Sequence, residues 1–408
     1  MKVLVITTTF PRRKDDPLPS FVLDLSRGLH QLGLEIVVLT PYCEGSERFE
    51  VLEGIRIYRY PYFYPVRYQR LVDGNGILPN IKKNYFALIQ LPFLFFSEVY
   101  FAFRIVNNEK IDIIHSHWLV PNGLVGAICQ RYFGVKHILT EHAAGLVALD
   151  KLPFNQIVLR FIFNNTTTVT TVSGYIKNIL EGKLMSAFKN RSNFGISIIP
   201  MGVEIGRCRK HEDKEILKQI KNIHSKNILL FIGRLVEKKG LGFLIDAMPT
   251  ILAETPDTML IVLGDGPLRE FWESQARCLN ISHKIQFLGR VSDNEKWDFL
   301  SIADILIIPS LVTPEKDTEG LPVVIMEGLA CGIPVVASDV GGIKDAVEDE
   351  YNGFLIEEKR IDLISEKVLY LLKNPLIYAT LSEHAKESSK KYDWNVIAKQ
   401  YFDKITLK

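Results

Sequence analysis

Short runs of apolar, β-branched residues recur along this chain, each followed by a longer amphipathic stretch, and that alternation constrains the fold more than any other feature. Strands are expected at Val3–Thr8, Glu35–Thr40, Ile111–His115, His137–Thr140 and Thr167–Val172 in the first half. In the second half they are expected at Ile228–Gly233, Met259–Gly264, Ile285–Gly289, Ile305–Pro309 and Val335–Ala337. Several carry no polar residue, as in Leu260-Ile261-Val262-Leu263. A strand apolar on both faces belongs in a parallel sheet covered by helices on each side. Stretches such as Phe21–Leu32 and Leu241–Leu252 supply the crossover helices. The fold class that follows is α/β: two doubly wound domains facing a central cleft, with the join expected near Pro200–Ser225. In such sheets ligands bind beyond the carboxyl ends of the strands.

Composition narrows the partners. The chain has 408 residues, 49 Lys+Arg and 47 Asp+Glu, so a net charge of +2 argues against a dedicated nucleic-acid binder. The balance hides two opposed parts: residues 1–200 carry +7 and 27 of the 42 aromatic residues, and the remainder carries −5. Five cysteines (Cys43, Cys129, Cys208, Cys278, Cys331), odd in number and without a C-x-x-C pair, read as reduced thiols of a cytoplasmic protein with no metal-site spacing. Val3–Ile6 is too short for a signal-peptide core. Gln90, Pro92, Glu98 and Arg104 interrupt the apolar stretch Tyr85–Val106, so no membrane-spanning anchor is expected.

Three motifs fall at strand ends. Gly233-Arg234-Leu235-Val236-Glu237-Lys238-Lys239-Gly240 follows the strand at Ile228. It pairs a planar guanidinium with a point charge, which suits a pyrophosphate, or it is a polar turn with solvated cations. Glu319-Gly320-Leu321-Pro322 opens a helix that carries Glu327 in an otherwise apolar stretch. Pro suits a first helical turn, whose free N–H groups make an anion site. Glu327 is either satisfied by vicinal sugar hydroxyls or paired inside the protein, because a bare buried carboxylate is costly. His115-Ser116-His117-Trp118 lacks a third ligand at zinc spacing, so no metal is expected; His115 is expected to pack at the strand end and leave His117 for the cleft. Thr140-Glu141-His142 at a further strand end either reaches a substrate or caps a helix.

Together these residues resemble family 4 of the retaining glycosyltransferases, of GT-B fold. The resemblance rests on Arg234 and Lys239 in G-R-L-x-x-x-K-G, on Glu319 and Glu327 in E-G-x-P-x5-E, and on Ala330 to Ala337. His115–Trp118, Gly264-Asp265-Gly266-Pro267, Phe287–Arg290, Gly341-Gly342 and Asn352–Phe354 follow in order. It implies two Rossmann-like domains: an acceptor domain over 1–200, a nucleotide-sugar domain over 201–385, and a segment 386–408 whose last helix crosses back. It implies that Arg234, Lys239, Gly320 and Leu321 meet the donor diphosphate and that Glu327 holds the ribose. By the same resemblance Glu319 contacts the transferred sugar, His117 lies beside the anomeric carbon as a catalytic residue, and Arg290 and Val291 border the nucleobase. No cofactor or metal is implied, the nucleotide-diphosphate sugar being a co-substrate. Ser20 where glycine is frequent, Ala143 after His142, and Met201 between Pro200 and Gly202 depart from the pattern.

The expected function is retaining transfer of a hexose to a glycan or lipid-linked acceptor. A catalytically inactive binding subunit, or a nucleotide-sugar epimerase of the same fold, is the alternative. A nicotinamide dehydrogenase is disfavoured because the first strand lacks G-x-G-x-x-G. The basic, aromatic run from Tyr58 to Arg70 and Lys82-Lys83 before Phe86–Phe103 draws attention to the acceptor side. Tyr62, Tyr64, Arg67 and His142 are the acceptor-side candidates. The run reads either as a sugar-stacking loop beside a core helix or as a contact with an anionic membrane surface at the inner face.

Overall fold

The computed structural model describes residues 1–408 apart from 13–15, 17–19, 73–76, 78–79, 82–83, 85, 189–192, 209–213 and 407–408. Lys82, Lys83 and Tyr85, singled out in the sequence, lie outside the described residues. The chain divides into two compact units, one of Met1–Gly202 with Trp394–Lys408 and the other of Val203–Asp393. The return therefore starts at Trp394, and residues 386–393 stay with the second unit.

In the first unit the strands are β1 (Lys2–Ile6), β2 (Glu35–Pro41), β3 (Phe49–Leu52), β4 (Ile55–Tyr60), β5 (Ile113–His117), β6 (Lys136–Glu141), β7 (Thr168–Thr171) and β8 (Ser197–Ile198). They form one sheet in the order β3-β4-β2-β1-β5-β6-β7-β8. Chain order reverses between β1 and β5, a switch point of the kind that leaves a crevice at the carboxyl ends. All pairings are parallel except β3 with β4. That hairpin turns through Glu53 (φ 52°) and Gly54 (φ 84°), the two successive positive angles that a tight turn between right-twisted strands requires. Its second strand corrects the expectation of a loop from Tyr58 to Arg70. Tyr58, Arg59 and Tyr60 belong to β4, and Arg59 is buried, donating to the Pro11 carbonyl at 2.9 Å and pairing with Glu50 at 2.5 Å.

The helix Leu91–Glu109 lies on this sheet. Leu94, Ala102, Ile105 and Val106 on its inner row join a core with Leu4, Ile6, Val37 and Leu39. By length and composition Phe86–Glu109 is apolar enough to cross a membrane, yet 28% of its most apolar window is buried inside the protein. The last helix, Trp394–Thr406, docks on Phe21–Gln31. A Cβ at Gly28 would stand 2.6 Å from that of Ala398, and the Tyr401 hydroxyl donates to the Ile199 carbonyl at 3.2 Å.

The second unit is a six-stranded parallel sheet of β9 (Asn227–Ile232), β10 (Thr258–Leu263), β11 (Ile285–Gly289), β12 (Ile305–Ile308), β13 (Val335–Ser338) and β14 (Gly353–Ile356). Their order is β11-β10-β9-β12-β13-β14. Leu229, Phe231, Leu260, Val262, Ile305 and Ile307 fill its core. One expectation is corrected here: Cys208 and Cys331 form a disulfide, with Cα atoms 5.3 Å apart and 123 residues between them. The fold, not local spacing, brings them together, by setting the turn Ile205–Arg207 against the C-terminal end of the helix Val323–Ala330. Cys43, Cys129 and Cys278 form no disulfide.

Candidate active site

In the second unit four loops close on one another at the carboxyl end of the sheet, and glycines make that closure possible. Gly240 (φ 64°) ends a single turn, Glu237–Lys239, and a Cβ there would stand 1.8 Å from the Pro309 carbonyl oxygen. Gly264 would likewise strike the Gly233 carbonyl oxygen at 2.0 Å, and Gly341 that of Glu319 at 2.1 Å. Backbone bonds then join the loops, Leu311 N–H to the Lys238 carbonyl at 2.8 Å and Gly342 N–H to the Glu319 carbonyl at 3.1 Å.

Side chains finish the joint. Lys238 Nζ donates to Asp317 Oδ1 at 3.0 Å and to the Thr318 carbonyl at 3.2 Å, while Lys239 Nζ lies 3.1 Å from Glu319 Oε1. Burial alone would raise the Glu319 carboxyl, but Lys239 and Lys238 hold it below the usual carboxylate value. The Arg234 guanidinium is pushed down by burial and by the charge of Arg290. Two guanidinium groups close enough to oppose one another's charge, with Lys239 on the same loop as Arg234, make a locally cationic end of the sheet. Gly320 and Leu321 lie between Glu319 and Pro322, which directly precedes the helix Val323–Ala330. Arg290 and Val291 line, with Lys221, Gln286, Leu288 and Phe299, a concavity of about 290 Å³ at the end of β11.

Glu327, on the inner face of that helix, is paired inside the protein. Lys296 Nζ donates to its Oε1 at 2.6 Å and lies 2.9 Å from Asp293 Oδ1, and Arg207 closes the chain on Asp293. Burial would discharge Lys296, but Glu327 and Asp293 outweigh it and raise its value. The motif reading missed Lys296, Asp293 and Arg207. Their signal was present in Ser292-Asp293-Asn294-Glu295, an S-x-x-E helix start whose reciprocal cap forms here and aims the first turn, with Asp293 and Lys296 three apart on one face.

In the first unit the ends of β5 and β6 bring three imidazoles together. His117 Nδ1 is 2.9 Å from His142 Nε2, and His115 Nε2 is 2.8 Å from Thr140 Oγ1. The structure corrects the exposure expected of His117. It is fully buried beneath Trp118 and His142, and His142 is the partly exposed member of the pair. The cause is local. His115 and His117 share one face of β5, and Trp118, at φ 69°, turns the chain back over the strand end. His117 Nε2 and His115 Nδ1 have no hydrogen-bond partner among the described residues. Burial, with repulsion from their neighbours, pushes His115 and His142 down to about 3 and His117 well below the ordinary imidazole value. The rings are therefore neutral near pH 7.

Glu141 takes the capping role. Its carboxylate accepts from Leu119 N–H at 2.7 Å, Ala143 N–H at 2.8 Å and Gly145 N–H at 3.1 Å, tying the two strand-end loops together. Tyr62, expected at the acceptor, is instead buried, its hydroxyl accepting from Leu71 N–H and Val72 N–H at 3.0 and 3.3 Å. Tyr64 and Arg67 are exposed. Among the described residues no group of three or more His, Cys, Asp or Glu is placed to hold a metal ion.

Comparison with known proteins follows this division of the chain. The model of glycosyl transferases group 1 matches residues 213–391, and that of Glycosyltransferase Family 4 matches residues 19–205. An uncharacterized glycosyltransferase of Methanocaldococcus jannaschii is 36% identical over 71% of this chain and 74% of its own length. A GDP-mannose-dependent alpha-(1-6)-phosphatidylinositol monomannoside mannosyltransferase of Mycolicibacterium smegmatis is 26% identical over 91% of this chain and 90% of its own. Among solved structures, the sucrose-phosphate synthase of Thermosynechococcus elongatus superposes with a TM-score of 0.76 at 20% identity, covering 98% of this chain and 97% of that one, a likeness of fold.

Proposed function

Because this chain belongs to glycosyltransferase family 4, of GT-B fold, we propose that it moves a hexose, with retention and without a metal ion, from a nucleotide-diphosphate sugar to a glycan or lipid-linked acceptor. That the donor is a nucleotide sugar accords with the family and with a relative named for GDP-mannose dependence. The observation that carries the reading is the crowding of positive charge at the end of β9. Burial and the charge of Arg290 push the Arg234 guanidinium down, Lys239 lies on the same loop, and a diphosphate relieves that repulsion.

In this reading Arg234 and Lys239 neutralise the diphosphate as the glycosidic bond breaks, assisted by the Gly320 and Leu321 amides in the loop before the helix, Pro322 being its cap and not part of its first turn. Glu327 Oε1 is committed to Lys296, and its second oxygen accepts from a ribose hydroxyl. Glu319, kept ionised by Lys239, accepts from hydroxyls of the transferred sugar. Arg290 and Val291 border the base. His117, covered by Trp118 and His142, is a neutral ring hydrogen-bonded to His142, and the partly exposed His142 is the member of this pair open to a substrate. The departing phosphate oxygen takes the acceptor hydroxyl's proton on the same face, which preserves the anomeric configuration. The enzyme's place is cytoplasmic, peripheral at the inner face of the membrane.

The test is thermal stabilisation by UDP-, GDP- and ADP-sugars, followed by transfer assays with and without EDTA and assignment of the product anomer by NMR. Lys239→Ala is expected to lower kcat by about 10²-fold or more while the folded state persists. Full activity in that variant, or an inverted product, overturns the assignment.

A further inference from the structure

The helix Leu91–Glu109 buries one face and leaves the other bare in a way that a purely structural helix has no use for. Phe93, Phe96, Tyr100 and Arg104 recur at intervals of three and four, the spacing of a single helical face, and all four are exposed, Phe96 by 68%. The patch extends beyond the helix. Phe63 packs its ring edge against Phe93 at 5.5 Å and against the exposed Phe86 at 5.9 Å. Phe103 contacts Tyr132 at 5.3 Å, and Tyr132 is 76% exposed. Isolated exposed apolar residues are ordinary; a contiguous aromatic surface of this kind marks a place where something binds.

Charge identifies the occupant. From Phe86 to Asn108 the only carboxylate is Glu98, and it points inward, fully buried against the Tyr60 hydroxyl. The charged groups beside the outward stripe are cations, Arg104 with its guanidinium over the Tyr100 ring at 5.8 Å and the exposed Arg131 next to Tyr132. Exposed Phe and Tyr rings with Arg104 and Arg131 beside them, Glu98 turned inward and Glu109 at the helix end taken up by Arg56 and Tyr58, match the interface of a bilayer with anionic head groups. A second copy of this chain would have to meet the same cations with its own.

We propose that this stripe (Phe93, Phe96 and Tyr100, with Arg104, Arg131 and Tyr132) docks the first unit on an anionic membrane surface. The proposal deepens the lipid-linked acceptor of the reading above and rests on it for its purpose, while its geometry stands independently of the transfer chemistry.

Co-sedimentation of the full chain with vesicles of phosphatidylcholine alone, and of phosphatidylcholine mixed with phosphatidylglycerol, tests it at low and high salt. Binding is expected to the mixed vesicles at low salt and to weaken as salt rises. F93S/F96S is expected to lower the bound fraction about tenfold, and R104E/R131E to abolish the preference for the anionic lipid. Unchanged circular dichroism, and unchanged stabilisation by whichever nucleotide sugar the parent binds, establish that these variants are folded and that the donor reading is unaffected. Absence of binding to mixed vesicles at low salt, equal binding by F93S/F96S, or a concentration-dependent dimer that the same substitutions dissolve overturns the proposal.

Discussion

Lys296 illustrates how a buried carboxylate is kept usable. It divides its ammonium between Glu327 and Asp293, so the ribose carboxylate of the proposed site has a cationic partner at 2.6 Å. Lys296→Met leaves the buried Glu327 without that partner, a loss of about 1–3 kcal/mol for a charged hydrogen bond. Donor affinity measured by calorimetry is expected to fall about tenfold or more, with much of it restored in Lys296→Arg. A lower unfolding midpoint with unchanged affinity refutes the positioning role. Glu98 is the opposite case. Burial pushes its carboxyl up to about 8, the Tyr60 hydrogen bond only partly opposing this. The folded chain thus keeps a proton that the unfolded chain releases above 4.5, and Glu98 costs about 1.4 kcal/mol per pH unit between those values before levelling off. Glu98→Gln is expected to be more stable than the parent, with the margin in denaturant midpoint widening from about pH 5 to about pH 8.

At the scale of elements, closure of the strand-end loops depends on backbone approaches that a single methyl group blocks. Gly240→Ala places a Cβ against the Pro309 carbonyl oxygen and forces an L-residue to φ 64°. It is expected to lose nucleotide-sugar stabilisation and several degrees of melting temperature, whereas Gly182→Ala, a helical position with open space around it, serves as the control. This scale also shows what a reader of the sequence sees and what escapes. Wholly apolar runs such as Leu260–Leu263 announce buried parallel strands, and the motifs at their ends fall at the carboxyl end of the sheet. The hairpin β3–β4 was legible in Glu53-Gly54 between alternating residues, but aromatic and basic side chains beside it drew the eye to a surface loop. The pairing of Glu327 with Lys296 and of Cys208 with Cys331 depends on tertiary proximity, which spacing along the chain does not encode. Burial of His117 escaped for a related reason. A residue at a strand end is exposed or covered according to how the next residue turns, and Trp118 turns back.

For the whole molecule, the opposed charges of its two parts acquire locations. The cations Arg234, Arg290 and Lys239 gather in the acidic part, while the excess of the basic part includes the buried Arg59 and the exposed Arg104 and Arg131. Removing residues 394–408 is expected to lower the unfolding temperature of the first unit, because Ala398 and Tyr401 leave Gly28 and Ile199 uncovered. The second unit should keep its transition and its response to nucleotide sugar, which scanning calorimetry resolves. The same return of the chain bears on synthesis. Val203–Asp393 is one uninterrupted stretch, complete as soon as it has cleared the ribosome, whereas the unit begun at Met1 waits for Trp394–Thr406. The part made first is therefore the part finished last, and during translation its sheet carries an uncovered helix that the nascent chain must shield until the final turns emerge.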